Sequence, residues 1–217
     1  MPEFRESLHP NCFYHIYNDA NGIEKLFERE LDYFHFKFRL KKYIHPIADI
    51  LSYCLQQDRF HIVIQIKSEL KIIEFLKRNL TEEQFLEQCD RECFIEKKLS
   101  RICSNFFNSY AKKFNLTHGR SGNLFKRAFR RESITDMDDL RTLINEIHHI
   151  PVYSGIVNIP ESWKYSSFSS LISDKISLLK PKKVWRVFGG KSNFIDLHQK
   201  NLDLILSGNK SLKFYDK

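Results

Sequence analysis

Three short stretches of this chain hold the side chains that could do chemistry. The first runs from Ile47 to Ile66 and reads as two apolar strands joined at the polar break Gln56-Gln57-Asp58, a hairpin within a sheet. Alternation on its second strand sets Arg59, His61 and Val63 on one face and Phe60, Ile62 and Ile64 on the other. His61 could ligate a divalent metal. Arg59 could not, because a guanidinium has no lone pair to give, but its cation suits a phosphate. The second stretch is a helical pattern from Asp136 to Ile150 that carries Glu146, His148 and His149. Adjacent histidines stand about 100° apart on a helix and cannot both aim at one ion. The third runs from Lys97 to Arg131, with ten Lys or Arg and no acid, so that the rest of a chain of net charge +8 sums to −2. An acid-free stretch containing Arg120, Lys126, Arg127, Arg130 and Arg131 predicts contact with nucleic acid.

The elements that must position these groups follow from periodicity. Asn11 to Asn18 reads as a first strand, on which His15 is expected to be a hydrogen-bonded strand histidine and not a ligand. Glu28 to Tyr43 reads as a helix with Leu31, Phe34 and Phe38 as its buried stripe. Glu69 to Asn79 is a short helix, and the capping box Thr81-Glu-Glu-Gln84 opens another that reaches about Cys89. From Glu96 to Phe114 the stripe Leu99, Ile102, Cys103, Phe106, Tyr110, Phe114 marks a long helix, whose opposite face bears Lys97, Lys98, Arg101, Asn105, Asn108 and Lys112. Asn123 to Arg131 is expected to be a basic strand that lays side chains along a phosphate backbone. In the last helix Met137, Leu140, Ile144 and Ile147 form the expected buried stripe, Glu146 lies on the flank, and Pro151 is expected to end the helix before Tyr153.

Composition bounds the remainder. A hydrophobic content of 42% with 19 Phe is enough for a core and argues against disorder. No apolar run has the length of a membrane span and the N-terminus lacks a signal-peptide core, so a cytoplasmic protein is expected. Cys12, Cys54, Cys89, Cys93 and Cys103 lack the spacing of a zinc site, and their odd number favours thiols over bridges.

Several of these stretches, in order, resemble the HUH single-strand transposases that use one catalytic tyrosine, above all their REP-associated branch. Phe13-Tyr14-His15-Ile16 and Leu26-Phe27 match the family's opening segments. Arg59-Phe60-His61 stands where the family has His-hydrophobic-His. Arg120, Gly122, Leu124, Phe125, Phe129, Arg130 and Arg131 match its Arg-x-Gly-x-Leu-Phe-x-x-x-Phe-Lys/Arg-Arg segment. Glu146-Ile147-His148-His149-Ile150-Pro151-Val152 occupies the place of Tyr-Ile-His-x-Asn-Pro-Val. Tyr153 to Val157, Trp163-Lys-Tyr-Ser-Ser167 and Phe188-Gly-Gly190 with Phe194 and His198 resemble its non-catalytic signatures, so the resemblance spans roughly residues 11 to 200.

The resemblance implies an α+β fold, a central antiparallel sheet with helices mainly on one face, ferredoxin-like, over residues 1–170. A C-terminal tail, residues 171–217, would carry the Phe-Gly-Gly motif and pack on that domain. In the family a tyrosine attacks DNA to form a 5′-phosphotyrosine while two histidines and a polar side chain hold a divalent metal. Here Arg59, Glu146 and Ile150 replace three of the four positions, and His61 is the one family ligand that survives. The expected function is therefore a catalytically silent, transposase-like protein that binds single-stranded or hairpin DNA through Arg59, Arg120, Lys126, Arg127, Arg130 and Arg131, as a monomer or homodimer, without a cofactor. Two alternatives stand beside it: an active transposase or nuclease with a rebuilt Mg²⁺ or Mn²⁺ site, and a scaffold without nucleic-acid function.

Overall fold

The computed structural model describes residues 6–78, 91–173 and 178–213. The capping box at Thr81 and the helix expected from Glu82 to Cys89 lie outside these residues. Four strands, β1 (Phe13–Asp19), β2 (Ala48–Leu55), β3 (Arg59–Ile66) and β4 (Arg130–Ile134), form one sheet in the order β2-β3-β1-β4. Every pairing is antiparallel, with Tyr17 opposite His61 on one side and Arg130 on the other. The expected α+β architecture around a central antiparallel sheet is present.

Two helices cover the sheet face that bears Phe60, Ile62 and Ile64: α1 (Glu30–Arg39) and α3 (Arg91–Thr117). Between them in the chain, α2 (Glu69–Lys77) follows β3. The stripe expected on α3 is the buried one, with Leu99, Cys103, Phe106, Tyr110 and Phe114 all inside. On α1 the expectation fails. Leu31, Phe34 and Phe38 are 51%, 59% and 55% exposed, while Tyr33, Phe36 and Leu40 are buried. The helix carries two apolar stripes, and the one that wins fits an aromatic socket: Phe36 lies 5.0–5.2 Å from the rings of Phe27, Phe60, Phe106 and Tyr110. A π-helical turn, Leu40–Ile44, then re-phases the chain so that Leu40 and Ile44 both face inward.

The second face of the sheet is covered by α4 (Met137–Tyr153), backed by α6 (Pro181–Phe188) and α7 (Lys191–Leu206), with a short α5 (Phe168–Ile172) between. A bulge between Ile50 and Ser52 sends Ser52 to this face, where it meets His148 of α4. Pro151 does not end α4, which runs two residues further and includes Tyr153. The proline removes one N–H, but Ser154 N–H still reaches the carbonyl of Ile150 and Ile156 N–H that of Pro151. Met137, expected in the buried stripe, is 47% exposed because it opens the helix beyond the sheet's cover.

The outer edge of β2 is blocked by Trp163-Lys-Tyr-Ser-Ser167. Leu55 N–H donates to Tyr165 O, Ser167 N–H to Tyr53 O, and the Trp163 indole to Leu55 O. An otherwise open edge strand is thereby paired along half its length. Among the described residues no helix is long and apolar enough to cross a membrane, and none of the four described cysteines is in a disulfide.

Candidate nucleic-acid interface

Strand alternation lines a polar file across the face beneath α4: Arg59 and His61 of β3, His15, Tyr17 and Asp19 of β1, and Arg130 and Glu132 of β4. His15 is the hydrogen-bonded strand histidine expected, with its Nε2 3.0 Å from Nδ1 of His61. The Tyr17 hydroxyl donates to Glu132, and Arg130 lies 5.4 Å above its ring. Burial, then the Glu132 hydrogen bond, pushes the Tyr17 phenol up to about 12. Burial, with the neighbouring His15 and Arg59, holds His61 well below the usual histidine value. Arg59 has its Nε 3.9 Å from Asp19 and its terminal nitrogen 3.5 Å from Asp58, so two carboxylates already face its charge.

Neither histidine of α4 joins this file. The His198 Nδ1–H donates to Phe194 O at 2.7 Å, which leaves its Nε2 to accept at 2.9 Å from His148 Nδ1–H. The remaining nitrogen of His148 then accepts from the hydroxyls of Ser52 and Ser167, at 3.0 and 2.7 Å. The facing nitrogens of His148 and His198 keep their bond only while at least one of the two rings is neutral. The chain of bonds ties β2, α4, the Trp-x-Tyr-Ser-Ser segment and α7 together, which gives the Phe-Gly-Gly…Phe…His pattern a physical task. His149 turns instead to the carbonyls of Asn145 and His198.

The residues present do not fit a divalent metal. Arg59 has no lone pair and Ile150 is buried and apolar, which leaves His61, through an Nε2 unbonded among the described residues, as a single ligand where an ion needs several. Glu146 is buried within electrostatic reach of Lys213, whose ammonium is bound to Asp139 at 2.7 Å. Among the described residues no three His, Cys, Asp or Glu side chains are placed to hold an ion. Packing sends His61, Glu146, His148 and His149 to different partners.

The basic segment is divided between bracing and display. The strand expected from Asn123 begins only at Arg130, because residues 123–127 are stitched to the end of β1 in an irregular loop. Lys126 N–H donates to Asp19 O, Asn21 N–H to Leu124 O, and the Asn18 amide to Arg127 O. Arg120 is fastened to Glu24 at 3.0 Å and to Asn115 at 2.7 Å, and Arg131 is buried against Ser100 at 2.9 Å. Leu124 and Phe129 are buried, Phe125 packs on Phe107, and Gly122 takes φ +85°, which a side chain would resist. The residues that carried the resemblance therefore build the loop, while Lys126 and Arg127 project from it.

Between this loop and α3 lies a cleft of about 380 Å³, lined by Ser104, Asn108, Asn123, Lys126, Arg127 and the Phe107 and Phe129 rings among others. Arg101 and Lys112, exposed one helical step beyond Ser104 and Asn108, flank it. Both lie on the α3 face opposite the expected buried stripe and within the acid-free segment; their helical offset from Ser104 and Asn108 is legible in the sequence, but the loop that makes that face concave is not.

No family model matches the chain. A protein of Haemophilus influenzae, named as a candidate REP-associated tyrosine transposase, is 26% identical over 128 residues, which is 57% of this chain and 61% of that protein. The chain thus spans about three fifths of the curated relative's length. A solved REP-associated tyrosine transposase, bound to a REP hairpin, superposes with a TM-score of 0.55 at 15% identity over 80% of this chain and 87% of its own. In sequence this chain is similar to the REP-associated tyrosine transposases, and it has their fold.

Proposed function

We propose that this chain is a transposase-like DNA-binding protein of the cytoplasm that takes single-stranded or hairpin DNA and lacks the family's metal-dependent tyrosine chemistry. The observation that carries the proposal is the cleft beside α3: its loop is braced by Arg120 and Arg131 while Lys126 and Arg127 face outward. Phosphates would meet Lys126, Arg127, Arg101 and Lys112, and a base could enter between the phenylalanine rings and the Asn108 and Asn123 amides. Arg120, Arg130 and Arg131 hold the loop and strand that present these cations. The hairpin in the structurally similar protein supports DNA as the partner. The absence of a nucleophile is read from Glu146, an anion that a phosphodiester repels, and from Arg59 and Ile150 at ligand positions.

Four phosphate contacts on a single strand should give a log K against log salt slope of about −3, at about 0.7 per contact. Replacing Lys126 and Arg127 together by Ala should flatten the slope by about 1.4, with circular dichroism unchanged. Arg59→Ala should leave affinity within about twofold, since Asp19 and Asp58 already balance its charge. A parent slope near zero would remove DNA from the account and leave the scaffold reading.

Incubation with hairpin DNA in Mg²⁺ or Mn²⁺ should produce no covalent protein–DNA adduct, and Arg59→His alone should not create one. An adduct that disappears in Glu146→Ala or Tyr153→Phe would show that the chemistry has been relocated and not lost.

A further inference from the structure

A second positive concavity lies far from the acid-free segment in sequence. It opens at the outer end of the sheet, where Pro46 and Asp49 of the β2 region meet the start of α2 and the start of α6, and encloses about 620 Å³. Lys67, Lys71 and Arg78 enter it from the turn before α2, its first turn and its C-terminal end, and Lys180 and Lys183 enter from the start of α6. Its two acids are already occupied. Asp49 binds Lys183 at 2.5 Å, and Glu74 binds Arg78 at 2.5 Å. Lys67 spends its ammonium on the carbonyls of His45 and Pro46, at 2.5 and 3.2 Å. Lys71 and Lys180 are exposed and have no acidic partner among the described residues.

We propose that this cleft is a phosphate site whose ligand presents two linked phosphates, one to Lys71 and one to Lys180. Like charges gathered in a concavity raise the local potential and are costly until a counter-anion arrives. The crowding is visible on Lys67, whose ammonium is held below its usual range by burial, with Lys180, Lys71 and Lys183 acting in the same direction against Asp49. The start of α6 adds to the field. Its first turn has no acid, so the positive end of the helix dipole is not compensated there. Linked phosphates occur both in a nucleic-acid backbone and in free pyrophosphate compounds, and the cleft's chemistry suits either. The proposal does not depend on the interface beside α3, since none of its residues is shared with that cleft.

Calorimetric titration of the full chain with inorganic pyrophosphate at low salt tests it, alongside the salt slope on single-stranded DNA. Pyrophosphate should bind saturably, at least tenfold more weakly in the Lys71→Ala/Lys180→Ala double variant and unchanged in the Lys126→Ala/Arg127→Ala variant. Both lysines of the cleft are exposed, so circular dichroism should show an unaltered fold. If the cleft variant also flattens the DNA slope by about 1.4, the ligand is a nucleic-acid backbone. If only pyrophosphate is lost, the ligand is a free phosphate compound. The proposal is overturned if the cleft variant changes neither pyrophosphate affinity nor the DNA slope.

Discussion

Lowering the pH from 7 to 5 should destabilise the folded chain, by about 2 kcal/mol through His198 alone. Three histidines set the direction. His61, His148 and His198 are buried and neutral: burial holds the first two well below the usual value and His198 down to about 3. An unfolded histidine titrates near 6.5, so below that pH the unfolded chain takes up protons that the folded chain refuses. Their contribution is therefore whole above about pH 6.5 and is lost as pH falls toward the folded values, at about 1.4 kcal/mol per unit for each ring. By pH 5 His198 has cost about 2 kcal/mol, and His61 and His148 add in the same direction. The hydrogen bonds agree with the sign, since two protonated rings could not both keep the His148–His198 bond, in which one nitrogen must stay bare to accept. His149, also lowered by burial but drawn upward by its two carbonyls, adds in the same direction. Urea titrations at several pH values check the prediction, and His198→Asn should reduce the loss. A stability unchanged between pH 7 and 5 would mean that the rings are not buried neutral.

Much of the frame was legible in the chain. The β2–β3 hairpin, the faces of β3 and the long stripe of α3 follow from periods of two and of three to four. The place of His61 followed as well, because strand alternation fixes its face whatever lies above it. What could not be read was the partner. Nothing local says that Ser52 is turned over by a bulge to meet His148, or that His198, fifty residues downstream, completes the same bond chain. The basic segment was legible as charge but not as display, since Arg120 and Arg131 look no different in sequence from Lys126 and Arg127 until Glu24 and Ser100 are placed beside them. The cleft at Lys71 and Lys180 was invisible for the converse reason. Its cations come from segments far apart in the chain, and folding alone gathers them.

The sharpest disagreement, the face of α1, leads to the other large expected effect. Phe34 and Phe36 stand two residues apart, about 200° around the helix, so only one can be buried. The period alone could not choose, because Leu31, Phe34 and Phe38 make as good a stripe as Tyr33, Phe36 and Leu40. Packing chooses. Phe36 is fully enclosed and touches four aromatic rings, whereas Phe34 is 59% exposed with Phe38 beside it. Phe36→Ala should then cost about 3–5 kcal/mol, as the lost transfer energy and the cavity left among rings that cannot collapse. Phe34→Ala should stay within about 0.5 kcal/mol. In thermal unfolding the first should lower the midpoint by roughly 6 to 20 °C, while the second barely moves it. If the order were reversed, α1 would have to be rotated by half a turn, and the aromatic socket between Phe60 and Tyr110 would have to be filled by something else.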